Sequence, residues 1–266
     1  MSNKNKLDLP TSLSKNSSMR LDLWTWKEVE KYLVNCKGII LPIGSTEQHG
    51  PTGAIGTDAM TAEAVAREVG IRTGVLVTPT QPYGMAEHHL GFPGTMSLRS
   101  STLQKLIHDL LISLVMHGFQ RIFIINGHGG NIASIKAAFS EVYNTASSRH
   151  LPVAKSLRFK LANWFMSPEV FRQARALYGE REGQHATPSE IALTLHLEPS
   201  LLAKQSELPD PAPAGPIYTY KDFRQRYPDG RMGSDPFLAK AEDGEMFLDK
   251  AASALSNDLI DFLKET

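Results

Sequence analysis

Cysteine is nearly absent from this chain. Cys36 stands alone among 266 residues, so no disulfide can form within one chain. Its place just ahead of an apolar run fits a small half-buried residue better than a catalytic thiol. Net charge is absent too: Lys+Arg and Asp+Glu both total 28. That removes the electrostatic case for nucleic acid or an anionic membrane surface. No apolar run approaches the roughly 20 residues of a membrane span. The N-terminus, MSNKNKLDLPTSLSKNSSMR, has Lys and Arg but no apolar h-region. It reads as a mobile tail over 1–20 rather than a secretory signal. No internal repeat is visible. A cytoplasmic enzyme with one domain over 21–266 is the expectation, long enough to bury a sizeable core.

What is present is an alternation of strand and helix signals. Thr25-Trp26-Lys27-Glu28 matches a capping box and opens a short helix to about Val34. Gly38 to Ile43 reads as a buried strand, Asp58 to Glu68 as a helix, and Val75 to Val77 as a second strand. Ser101-Thr102-Leu103-Gln104 is another capping box, ahead of a periodic helix that ends at Gly118. Arg121 to Ile125 is the clearest strand. A helix from about Ile132 to Ser147 and a strand from Val153 to Phe159 follow. Thr187-Pro188-Ser189-Glu190 has every local mark of a helix start, and Ala239 to Glu265 reads mainly as helix. The pattern predicts an α/β fold with a mostly parallel sheet covered by helices on both faces. The proline-rich run Pro209 to Pro216 reads as an extended surface arm, because too little chain follows it for a second core.

Ligands of open α/β sheets gather at the carboxyl ends of the strands. Three polar clusters fall at such ends. After the first strand come Glu47, Gln48 and His49, with Asp58 nine residues beyond His49. Two carboxylates and an imidazole leaving a rigid element within one loop suit a divalent metal. After the second strand comes YGMAEHHLGFPGT, where adjacent His88 and His89 must diverge, so at most one faces the site. After the third strand comes Asn126-Gly127-His128-Gly129-Gly130-Asn131. Its glycines could cradle phosphate, but no P-loop Lys-Ser/Thr follows and the spacing is not the dinucleotide fingerprint. They better let the backbone pass close to a metal-bound substrate. His185 precedes the last capping box and could be a surface residue, a ligand or a general acid/base. Glu190 closes that box, and on local grounds a cap is the stronger reading than a ligand.

These motifs together resemble the creatininase family. The resemblance rests on GSTEQHGP with GTDA, HLGFPGT at His89 to Thr95, NGHGGN, HA followed by Glu190, and GRMGSDPFLAKAEDG, from about Ile39 to Gly244. It implies a three-layer α/β/α fold, a homohexamer and two divalent ions, usually zinc, manganese or iron. Carried over, Glu47 and His128 would bind one metal, His49 the other, and Asp58 both. Creatininase has Tyr and a ligating Glu after the NGH histidine, where this chain has Gly129 and Gly130. Glu190 matches a second acidic position of the family, so the resemblance moves it from cap to ligand at the catalytic site. His185 matches the catalytic histidine. Two departures concern the pocket: Thr52 replaces a common His, and Ala86 stands where many members have a substrate-contacting Ser. Ala86, Gly129, Gly130 and Trp164 are therefore the candidate substrate contacts, with a core tryptophan the equal alternative for Trp164.

The implied activity is hydrolysis of the C–N amide bond in a small cyclic amide such as creatinine. A hydroxide bridging two metals would attack the carbonyl, and His185 would protonate the leaving nitrogen. Alternatives on the same site are a formamide hydrolase of the formylamino-pyrimidine type and a short-peptide hydrolase. A non-catalytic metal-binding scaffold is a further alternative, which the retained ligand set argues against.

Overall fold

Four strands lie side by side in the order β2-β1-β3-β4, all parallel. The structure is a computed structural model and describes residues 18–208 and 212–265. β1 is Gly38–Ile43, β2 Leu76–Val77, β3 Arg121–Asn126 and β4 Arg158–Asn163. Helices α1 (Trp26–Asn35), α2 (Thr57–Thr73), α3 (Ser100–Met116), α4 (Ile132–Ser148), α5 (Pro168–Tyr178), α6 (Pro188–Leu197), α7 (Tyr220–Arg226) and α8 (Ala241–Lys264) surround them. Successive strand side chains point to opposite faces. Ile40, Phe123 and Ile125 join a core with Val65 of α2, Ile191 of α6 and Phe247 of α8. Ile39, Leu41, Ile122 and Ile124 join a second core with Tyr32 of α1, Ile107 of α3 and Val142 of α4. The fold is thus the expected α/β class, a parallel sheet between two helical layers.

The strand order explains where a site can form. The chain steps from β1 to β2 on one side, then crosses back to place β3 on the other. Connections leaving β1 and β3 therefore part in opposite directions and open a crevice at their carboxyl ends, where Ile43 pairs with Asn126.

Several local expectations shift. α2 runs past Glu68 to Thr73, and Gly74 ends it in the left-handed region at φ 77. Gly70, a poor helix former, serves there because a Cβ would come within 2.5 Å of Val77 Cγ2. The capping box at Ser101 does not form: Arg99 is the N-cap of α3 and makes no side-chain cap bond. β4 begins at Arg158 rather than Val153, because residues around Val153 close turns in which Ala154 N–H donates to Leu151 O and Ser156 N–H to Val153 O. Helices α5 and α7 were not anticipated. Of the 1–20 segment, residues 1–17 lie outside the described residues, but Met19 is buried and Arg20 pairs with Val77. Pro209 to Pro211 also lie outside them, while 212–219 run without regular structure. Cys36 is buried, and the Tyr32 hydroxyl donates to its sulfur. Among the described residues, no helix is long and apolar enough to cross a membrane.

Candidate metal centre

Two glycines bring the first turn of α2 against the strand ends. A Cβ on Gly44 would lie 2.4 Å from the Ala59 backbone, and one on Gly127 would lie 2.2 Å from Asp58 O. With no Cβ at either place, Asp58 reaches the crevice between the loops that carry Glu47, His49 and His128. Its position in the first helical turn also sets its charge at the positive end of the helix dipole.

Two groups of metal-ligating atoms meet there and share one residue. Glu47, Asp58 and His128 form one; His49, Asp58 and Glu190 form the other. His128 Nδ1 lies 3.2 Å from Glu47 Oε1 and 3.1 Å from Asp58 Oδ2. His49 Nε2 lies 3.1 Å from Asp58 Oδ1 and 3.8 Å from Glu190 Oε2. Each imidazole is held through its other nitrogen: His128 Nε2 donates to Met85 O at 2.9 Å, and His49 Nδ1 to Glu47 O at 3.1 Å. That anchoring aims the remaining nitrogen of each ring into the crevice.

The residues present fit a pair of cations. Glu47 Oε1 and Asp58 Oδ2 are buried without a hydrogen-bond donor. Buried carboxylate oxygens left this way are costly unless a cation meets them. Protonated imidazoles stand in for that charge in the metal-free protein. Burial works against the charged form of His49, but Asp58 and Glu190 outweigh it and lift its pKa to about 10. His128 is likewise raised well above the histidine range by Glu47 and Asp58 against the effect of burial. Burial pushes Asp58 upward, yet His49 and His128 hold its carboxyl well below the usual carboxylate range. Burial raises Glu190 to about 7. His185 goes the other way: burial, then the neighbouring His49, keeps it neutral well below its ordinary value.

Glu190 is placed for both roles read from the sequence. Its Oε1 accepts from Thr187 N–H at 2.6 Å, completing the capping box of α6, while Oε2 faces His49. A cap uses one carboxylate oxygen, so the second remains available. The structure brings together Glu47, His49, Asp58, His128, His185 and Glu190. His89 turns inward, with Nε2 at 3.4 Å from Glu47 Oε1, and His88 packs outside it against Phe223.

The substrate contacts are redistributed. A cleft of about 220 Å³ opens on Glu47, Asp58, His128, Gly129, His185 and Glu190. Its outer wall is Phe165, Met166, Phe171, Arg175 and Glu182. Trp164 is not on that wall: it is fully buried and its Nε1 donates to Thr61 Oγ1 at 3.2 Å. That is the core alternative. Ala86 is buried under a short turn, its N–H donating to Ser97 Oγ, and does not line the cleft. Gly130 is a packing glycine, since a Cβ would lie 2.4 Å from both His128 Nε2 and Met85 O. Gly129 does face the cleft, with open space around the missing side chain. A larger groove of about 420 Å³, lined by Arg20, Asp22, Glu63 and Arg67, lies elsewhere and carries none of the groups of metal-ligating atoms found among the described residues.

Sequence reasoning passed over the supporting residues. Ser45 Oγ donates to Glu47 Oε2 at 3.0 Å. Asn126 Oδ1 accepts from His128 N–H, and Asn131 bridges Gly44 O and Met85 N–H. The two asparagines that bound NGHGGN were a visible signal of such a frame, because buried amides need fixed partners. Arg175 and Glu182 left none, as they sit beyond the motifs.

Comparison with known proteins gives a consistent picture. The sequence model of the creatininase family (creatinine amidohydrolase) matches residues 22–259. Creatinine amidohydrolase of Pseudomonas putida is 27% identical over 245 residues, covering 88% of this chain and 93% of that protein. A mycofactocin precursor peptide peptidase of Mycolicibacterium smegmatis is 39% identical over 106 residues, 38% of this chain and 42% of that protein. A 3-dehydro-scyllo-inosose hydrolase of Thermotoga maritima is 33% identical over 106 residues, 40% of this chain and 34% of that protein. The crystal structure of creatinine amidohydrolase superposes with TM-score 0.82 at 26% identity, covering 94% of this chain and 99% of that one. A mutant creatininase of Zn-Zn type and a manganese creatininase are similar, with TM-scores of 0.80 and 0.81.

Proposed function

This chain belongs to the creatininase family, and from that premise we propose that it is a two-metal amidohydrolase that opens the C–N amide bond of a small cyclic amide such as creatinine. The observation that carries the reading is the shared carboxylate: Asp58 belongs to both groups of ligating atoms, one oxygen toward each histidine. Glu47 and His128 complete one metal position, His49 and Glu190 the other. Divalent ions bound there would supply Lewis acidity and make water a nucleophile near neutral pH.

The protein's own groups account for the proton movements. Water adds to the amide carbonyl carbon and loses a proton; the C–N bond breaks and the nitrogen leaves with a proton. His185 opens on the cleft with its side chain 12% exposed and is kept neutral, so it can take the first proton and hand over the second. Phe165 and Phe171 line the approach and give it apolar surface.

A second reading has its own support. The peptidase relatives match this chain in part, and the open space at Gly129 would admit a chain longer than a five-membered ring. A substrate panel tests the two: creatinine ring opening, deformylation and dipeptide release give different products. Turnover of a cyclic amide that disappears in Asp58→Ala supports the first reading. Release from peptides alone would replace it with the second, and full turnover in Asp58→Ala would contradict both.

A further inference from the structure

A third group of ligating atoms, Glu47, His89 and His185, lies beside the other two. Counting protons around Gln48 decides what it can do. Gln48 Oε1 accepts from Gly50 N–H at 2.8 Å, and Nε2 donates to Gly230 O at 3.0 Å. These two bonds fix which end of the buried amide is nitrogen. A Cβ on Gly230 would stand 2.0 Å from Gln48 Oε1, so the amide occupies the space that glycine leaves.

One N–H of Gln48 remains, and two histidine nitrogens are near it: His89 Nδ1 at 2.9 Å and His185 Nε2 at 3.0 Å. His185 Nε2 also lies 2.7 Å from the Gln48 main-chain oxygen, which can only accept. His185 Nε2 therefore carries a hydrogen and cannot take another. The free N–H goes to His89 Nδ1, so His89 is protonated at Nε2, the atom that faces Glu47. His185 is left with Nδ1 as its one bare nitrogen, 3.8 Å from Glu47 Oε1 on the cleft side.

We propose that Gln48 is a positioning residue: its side-chain amide makes His89 an Nε2–H tautomer rather than a ligand, and its main-chain oxygen makes Nδ1 the working nitrogen of His185. The third group then holds no metal, because one of its three atoms bears a hydrogen. His89 then sets a protonated nitrogen 3.4 Å from Glu47 Oε1, an electrostatic contact that makes no hydrogen bond and leaves that oxygen open to a cation. The role of His185 in proton transfer rests on the amidohydrolase reading; the tautomers do not.

The test is two-bond 1H–15N correlation of histidine-labelled, zinc-loaded protein, which distinguishes protonated from bare ring nitrogens. The wild type should show His89 and His185 both protonated at Nε2, with neither Nε2 bound to zinc. In Gln48→Glu the second carboxylate oxygen can only accept, so His89 should move its hydrogen to Nδ1. With the metal content retained, kcat should fall on the order of 10–100-fold, with KM changed much less. Gln48→Met, neutral and of similar length, should give mixed His89 tautomers and a loss of the same order. A wild-type His89 protonated at Nδ1, or a zinc-bound His89, would overturn the inference. So would an unchanged His89 in Gln48→Glu. If no amide is turned over but the wild-type tautomers are as stated, the function fails and the positioning stands.

Discussion

Asp58 and Glu190 show how much depends on single carboxylate oxygens. Glu190 holds the Thr187 N–H with one oxygen and faces His49 with the other. Glu190→Gln keeps an acceptor for the cap but loses the charge. It should leave the melting temperature of the metal-free protein close to wild type while weakening one of the two metals by at least ~10–100-fold in a binding titration. Thr187→Ala should do the opposite, costing about 1 kcal/mol of stability with little effect on metal affinity. Equal losses in both variants would mean that Glu190 only caps. Protonation gives a second handle. The folded pKa of His49 is raised to about 10 and that of Glu190 to about 7. A raised pKa contributes stability that is complete below the unfolded value and lost as pH rises through the folded one. The metal-free protein should therefore lose the Glu190 contribution between about pH 4.5 and pH 7 and the His49 contribution between about pH 6.5 and pH 10. Zinc-loaded protein should lack that slope, because its imidazoles hold metal in place of protons, and metal affinity itself should fall as pH falls. Melting curves across that range, with chelator and with zinc, measure both. The candidate ligands were legible because Glu47, His49 and His128 follow strand ends within motifs. Glu190 was ambiguous because a cap and a ligand require the same residue.

Among elements, α2 decides whether there is a site. Its first turn reaches the crevice only because Gly44 and Gly127 lack side chains. Gly127→Ala would set a Cβ 2.2 Å from Asp58 O, a backbone atom that cannot swing aside. The expected result is a loss of about 1–3 kcal/mol or more, together with loss of metal. Gly129→Ala, with nothing within 4 Å of the new methyl, should be within about 0.5 kcal/mol of wild type and keep its metal. Calorimetry and elemental analysis of the pair would check this contrast between two glycines two residues apart. Sequence patterns resolved β1 and β3 well, since both are apolar throughout their centres and buried on both faces. β4 was misplaced because Arg158–Asn163 is largely half-buried and alternates polar with apolar residues, while the more apolar residues before it fold into turns. The tight packing served by Gly127 could not be read from the chain, as a strand-end glycine looks the same whether it cradles a ligand or a helix.

At the scale of the whole molecule, the strand order turns separate motifs into one centre. Glu47 and His128 lie far apart in sequence, and the pairing of Ile43 with Asn126 sets their loops side by side. Helix α6 and the loop just before it bring Glu190 and His185, respectively, to the same cleft from the far half of the chain. Family motifs made this convergence legible in advance, but not the cleft wall. Trp164 lies in the core, and Phe165, Phe171 and Arg175 form the rim; they were not legible because neither the turn at Phe165 nor helix α5, which carries Phe171 and Arg175, bears a motif. The central claim is that Asp58 joins two metal positions in one buried site. It is tested most directly by the metal content of purified protein reloaded with zinc and freed of excess, measured beside Asp58→Asn. Two zinc ions per wild-type chain, and loss of both in the variant, is the predicted result. One ion per chain, or two retained by Asp58→Asn, would contradict it.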